Sequence, residues 1–171
     1  MLWPSDLMLL IRPPTPVDAC GPPPGITLRP PTPEDIEPLG RTYFASYPPG
    51  VACATEPEAI EDIRLTYAGE YGVLDLRGSR LAIAPEYPSD SASTSTSIVG
   101  AALVVERGPW SDAPDCPFLI ELFTLPTHRR QGIAQALLTT CLPPSTSLAL
   151  RVREDNTPAI TLYERFGFQP G

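Results

Sequence analysis

The sequence predicts a mixed α/β domain: a mostly antiparallel central sheet flanked by helices, with one parallel strand pair near the C-terminus. Three observations carry that expectation. Residues Ile98 to Glu106 and Phe118 to Leu125 are apolar runs of strand length, the second of them buried. A short strand and two helical segments precede them. A strand–helix–strand–helix order closes the chain, and such a crossover joins parallel strands with right-handed sense. The 171 residues suffice for one domain without a disulfide or metal staple.

Taken in order, residues 1–25 read as a proline-rich leader, disordered and outside the fold. Ten of the 24 prolines fall before residue 34. The run Gly21-Pro22-Pro23-Pro24-Gly25 suits neither helix nor central strand, because proline fixes φ and lacks an N–H. Within the leader, Ile11-Arg12-Pro13-Pro14-Thr15-Pro16-Val17-Asp18 echoes Leu28-Arg29-Pro30-Pro31-Thr32-Pro33-Glu34-Asp35. Two copies do not make a solenoid, and no function follows from the echo alone.

The domain is expected over residues 26–171. Ile26 to Arg29 is a short strand. Thr32-Pro33-Glu34-Asp35 starts a helix, with a hydroxyl cap, proline in the first turn and acids behind it. Ile36, Leu39, Tyr43, Phe44 and Tyr47 follow at helical spacing, and Pro48-Pro49-Gly50 stops them. A second helix opens at Thr55-Glu56-Pro57-Glu58, with Ile60, Ile63 and Tyr67 on one face. Leu81 to Ala84 is a strand, and residues 85–97 form a flexible hairpin tip. After the two long strands come a helix over 132–142, a strand over 148–152, and a last helix opened by Thr157-Pro158 and ended by Gly167.

Composition excludes several functions. All twelve basic residues are arginine, so lysine-based chemistry is absent. A net charge of −8 disfavours nucleic acid and anionic membrane surfaces as partners. Cys20, Cys53, Cys116 and Cys141 show no C-x-x-C spacing, and one histidine does not complete a zinc pattern, so no metal is expected. The N-terminus lacks a basic region and a clean cleavage site. No apolar run reaches the length of a membrane span. A cytoplasmic protein with reduced thiols is the expectation.

The chemically informative segment is Leu122-Phe123-Thr124-Leu125-Pro126-Thr127-His128-Arg129-Arg130-Gln131-Gly132-Ile133-Ala134-Gln135. A buried strand runs into a tight turn and then a helix. Gly132 and Ala134 let a ligand approach the backbone. Unpaired helix N–H groups and the positive dipole end suit a pyrophosphate, and Arg129 and Arg130 add positive charge. Downstream, Asn156 ends the next strand, and Tyr163 lies about two turns into the next helix. As spacing alone, Tyr163 also reads as a core aromatic beside Ile160 and Phe166.

Together, RRQGIA with its strand and EDNTPAITLYERFGF resemble the GCN5-related N-acetyltransferase (GNAT) family over residues 26–168. The resemblance implies acetyl-CoA held in a splay between two parallel strands, here 118–125 and 148–152. It implies backbone contacts to pantetheine from Leu122, Phe123 and Thr124. It implies a pyrophosphate cradle from Arg130, Gln131, Gly132, Ile133, Ala134 and Gln135. By the same resemblance Asn156 contacts the pantetheine region, and Tyr163 protonates the departing thiolate. The implied reaction is direct acetyl transfer to a primary amine in a ternary complex. A non-catalytic acyl-CoA-binding module is the alternative reading.

Two departures follow. Several family members carry a glutamate base on the strand before the asparagine, where this chain has Arg151. Glu121, inside an apolar run, is the substitute candidate: its pKa is expected to rise, which suits a base or an ammonium grip. Pairing with a nearby arginine or backbone amides is the other reading of Glu121. The acceptor pocket is expected near residues 47–55 and 108–117, with Tyr43, Tyr47 and Trp110 as an apolar wall and Asp112 and Asp115 drawing a cation. The final strands of the family are short here, so the sheet edge beyond 148–152 is expected to be open, or covered by a partner chain in a homodimer.

Overall fold

The structure, a computed structural model, describes residues 6–18, 20–85, 96–142 and 145–171. In chain order they form β1 (Leu7–Arg12), β2 (Thr27–Arg29), α1 (Ile36–Ser46), α2 (Glu56–Ala68), β3 (Arg80–Pro85), β4 (Thr96–Val105), β5 (Phe118–Thr124), α3 (Ile133–Cys141), β6 (Leu148–Arg153), α4 (Thr157–Arg165) and β7 (Gln169–Pro170). One seven-stranded sheet runs β2-β3-β4-β5-β6-β1-β7. Among the described residues only β5 and β6 pair in parallel. This is the mixed, mostly antiparallel sheet that the sequence predicts. Most of the expected hairpin tip lies outside the described residues.

Helices cover both faces. On one, Leu39 and Tyr43 of α1 and Ala59 and Ile63 of α2 pack against Leu81, Ile83, Leu103 and Phe123. A Cβ at Gly40 would stand 2.5 Å from Ile60 Cα, so glycine there lets α1 and α2 touch backbone to backbone. On the other, Leu137 and Leu138 of α3 and Tyr163 of α4 meet Val99, Val104, Leu150 and Val152. Thr55 caps α2 by accepting from the Glu58 N–H. Before α1, Pro33–Asp35 make a single 3-10 turn, and the Thr32 N–H and hydroxyl both donate to Asp35 Oδ2.

The expected leader is corrected at residues 7–12. They form β1, paired along its whole length with β6, from Leu7 opposite Arg153 to Arg12 opposite Leu148. Leu10 is fully buried among Tyr163, Phe168 and Leu150. The physical reason is local: Leu7-Met8-Leu9-Leu10-Ile11 is a proline-free apolar run that fits a half-buried strand, and the proline excess begins only after it. The edge beyond β6 is therefore covered by the chain's own β1, not left open for a partner. Short β7 then pairs with β1 through Leu10–Pro170 and Ile11–Gln169.

Candidate active site

The site forms where β5 and β6 part. Their pairing covers only Phe118–Ala149 and Leu119–Leu150. At that point β5 carries an extra residue: Leu103 of β4 faces Glu121, while its neighbour Val104 faces Leu119, leaving Ile120 as a bulge. Beyond it β5 stays with β4. The Leu125 N–H donates to Val99 O at 2.8 Å. Alternation along an antiparallel pair then turns the backbone of Phe123 toward β4, and the backbones of Leu122 and Thr124 toward the gap. Of the three residues expected to present backbone there, Phe123 instead contributes its ring, 5.4 Å from Tyr43 and 6.3 Å from Tyr47. Thr124 Oγ1 is buried and has no partner among the described residues.

The turn into α3 is built to expose amides. Arg130 and Gly132 both have positive φ, 64° and 84°, with Gln131 between them on the ordinary side. Alternating handedness points successive N–H groups into one concavity. The first helical bond, Ala136 N–H to Gly132 O, leaves the amides of Ile133, Ala134 and Gln135 without helix partners. A Cβ at Gly132 would meet nothing within 4 Å. Arg130 is exposed at this turn. Arg129 is exposed too, but its guanidinium donates to Thr124 O and Ser46 O and so ties β5 to the end of α1.

Glu121 and Tyr163 lie on opposite faces of the sheet, the first against Tyr43 and Tyr47, the second in the core under α3 and α4. The Glu121 carboxylate accepts the Tyr43 hydroxyl at Oε1 and the Tyr47 hydroxyl at Oε2, each at 3.2 Å. It keeps partial exposure to water. Packing around it still strips enough solvent to push its pKa up to about 7; nearby Asp62 adds to the rise and the two phenols oppose it. No arginine pairs with it among the described residues. Tyr163 is 8% exposed and packs on Phe168, ring centroids 5.5 Å apart. Burial raises its pKa, and the Glu121 charge raises it further. Asn156 caps α4, its Oδ1 accepting from the Ala159 N–H at 3.3 Å.

The two loop acids have arginine partners within the protein. Asp112 pairs with Arg151, whose guanidinium stacks 5.0 Å from the Trp110 ring. Asp115 lies 3.6 Å from Arg107. Trp110 packs on Phe118, apart from Tyr43 and Tyr47. The expected three-residue wall is thus corrected to Tyr43, Tyr47 and Phe123. The tyrosines' grip on Glu121 was not read from sequence, although their spacing of four on one helix face was the available signal.

Residues 53–168 match the Acetyltransferase (GNAT) family. The chain belongs to the GNAT family. A GCN5-related N-acetyltransferase from Sphaerobacter thermophilus superposes with TM-score 0.64 at 22% identity, over 96% of this chain and 48% of that one. A tandem GNAT protein from the clavulanic acid biosynthesis pathway gives 0.59 at 15%, over 96% and 50%. AAC(6′)-Iy, solved with the bisubstrate analogue CoA-S-monomethyl-acetylneamine, gives 0.56 at 18%, over 84% and 90%. The chain thus spans about half the length of the first and second of these. No curated protein matches it. GNAT proteins are acyltransferases with acetyl-CoA as co-substrate. Among the described residues no group of three or more His, Cys, Asp or Glu is placed to hold a metal, and no helix is long and apolar enough to cross a membrane.

Proposed function

We propose that this GNAT chain transfers the acetyl group of acetyl-CoA directly to a primary amine within a ternary complex. The observation that carries the reading is the gap itself: β5 and β6 part after two paired residues, beside a turn into α3 whose first amides have no helix partners. Acetyl-CoA supplies an activated acyl group as a thioester. The Leu122 backbone turned toward the gap, the orphan Thr124 hydroxyl and the open space over Gly132 fit such an extended, phosphate-bearing molecule.

In this reading the amides from Arg130 to Gln135 hold the pyrophosphate at the start of α3. Leu122 and Thr124 pair with the pantetheine arm as an added strand would, with Phe123 as a floor, and Asn156 contacts the same arm. Glu121 accepts a proton from the incoming ammonium, leaving a neutral amine free to attack. A carboxylate titrating near 7 suits that work at neutral pH. Tyr163 donates its hydroxyl proton to the departing sulfur. A buried neutral phenol close by is a competent donor to a thiolate. Nitrogen gives up two protons in all: one leaves through Glu121 to solvent, and the second, lost as the C–N bond replaces the C–S bond, restores the Tyr163 hydroxyl whose proton went to the sulfur.

The test is Tyr163→Phe, assayed by thiol release over a panel of diamines, amino sugars, amino acids and lysine peptides. Turnover should drop about 100-fold, while the acetyl-CoA dissociation constant stays within about twofold. Turnover equal to wild type would remove Tyr163 from the chemistry.

A further inference from the structure

The repeated Arg-Pro-Pro-Thr-Pro sequence has a structural counterpart. In the second copy, at the end of β2, Arg29 donates to the carbonyl of the next residue, Pro30, at 3.1 Å and grips Asp35 ahead of α1. In the first copy, at the end of β1, Arg12 donates to Pro13 O, again at 3.1 Å, and to Thr15 O. Its Nε then reaches Phe166 O at 2.7 Å, the carbonyl that closes α4. The two copies thus latch two separate strands of one sheet to two different helices. The helix that Arg29 holds carries Tyr43, with Tyr47 at its C-cap. The helix that Arg12 holds carries Tyr163.

Arg12 is 1% exposed, and no carboxylate lies within ion-pair distance of it among the described residues. A buried guanidinium satisfied by carbonyls is costly unless its geometry is fixed. Here it complements the negative end of a helix dipole. From Phe166 the path to Tyr163 is short: the N–H groups of Phe166 and Phe168 both return to Tyr163 O, at 2.9 and 3.1 Å. Leu10 of the same strand packs in the core that holds Tyr163 and Phe168.

We propose that Arg12 is a positioning residue for Tyr163, acting from an N-terminal strand to hold α4 at the setting in which the phenol reaches the CoA sulfur. The proposal rests on the assignment of Tyr163 as the acid. It also gives the sequence echo a physical role, as one latch used twice.

The experiment titrates CoA bound to the full chain, following thiolate absorbance against pH. A phenol donating to the thiolate lowers the thiol pKa. Tyr163→Phe should therefore raise the bound thiol pKa by about one unit. Arg12→Gln should raise it similarly, with CoA affinity within about twofold, and the double variant should show no further rise, because both act through one hydroxyl. Arg12→Lys, which keeps a cation at the carbonyl, should fall between and serves if Arg12→Gln does not fold. Arg29→Gln should lower stability without moving the thiol pKa. An unmoved pKa in both Arg12 variants, or an additive rise in the double variant, overturns the positioning role. If Tyr163→Phe itself leaves the pKa unchanged, the acid assignment fails, and the Arg12 proposal falls with it.

Discussion

Tyr47, at the C-terminal cap of α1, donates its hydroxyl to Glu121 Oε2 at 3.2 Å, joining positions 74 residues apart. Tyr43 does the same at Oε1. Two phenols thus hold a carboxylate that would otherwise rise still further in pKa, and they leave it titrating at about 7. Several consequences of that arrangement are measurable.

Amine acetylation should rise with pH along a limb centred at about 7, as Glu121 loses its proton. Glu121→Gln should erase that limb and lower kcat about 100-fold. A profile of kcat against pH checks both. A limb that persists in the variant would assign the base elsewhere.

Removing one phenol should move the limb rather than abolish it. Hydrogen bonds from Tyr43 and Tyr47 favour the charged carboxylate. Tyr43→Phe and Tyr47→Phe should each shift the limb to higher pH by about half a unit. A shift toward acid would contradict the donor role.

Glu121 should also cost stability at neutral pH. Its folded pKa is raised, so the folded state keeps a proton that the unfolded chain releases near pH 4.5. The favourable increment is fully present below that value and lost as pH climbs through about 7. Glu121→Gln should therefore gain about 1–2 kcal/mol at pH 8 relative to its effect at pH 4, allowing for the carboxylate's partial exposure. Urea denaturation at the two pH values reads it.

The contact of α1 with α2 should be intolerant of bulk. Gly40→Ala would drive a methyl to 2.5 Å from Ile60 Cα, against backbone rather than a mobile side chain. The expected cost is about 1–3 kcal/mol, with a rise in the acceptor KM as Tyr43 and Tyr47 move. A thermal melt and a KM measurement test it together.

The parts legible in sequence were those set by local chemistry. Thr55 and Gly167 mark helix ends, and the structure puts a cap and a left-handed turn there. The strand, turn and helix around Gly132 follow from an apolar run meeting glycine, and the raised pKa of Glu121 follows from its apolar neighbours. What escaped depended on partners far along the chain. Leu7 to Arg12 look like a leader until β6, about 140 residues later, supplies the pairing edge. Arg129 and Arg130 look alike as a pair, yet Arg129 braces α1 through Ser46 O, a partner 83 positions away. Trp110 matches Tyr43 and Tyr47 by residue type, yet it packs on Phe118 in a separate cluster.

The most direct measurement is calorimetric titration of the chain with acetyl-CoA, alongside Gly132→Asn and Gly132→Asp. Nothing in the free protein occupies the space above Gly132, and Asn and Asp both tolerate a left-handed backbone, so the fold should bear either side chain at a cost of about 1 kcal/mol. The account predicts micromolar binding to wild type, weaker binding to Gly132→Asn, and none to Gly132→Asp, whose charge would face the pyrophosphate. Equal affinity in all three, or no binding to wild type, would contradict it.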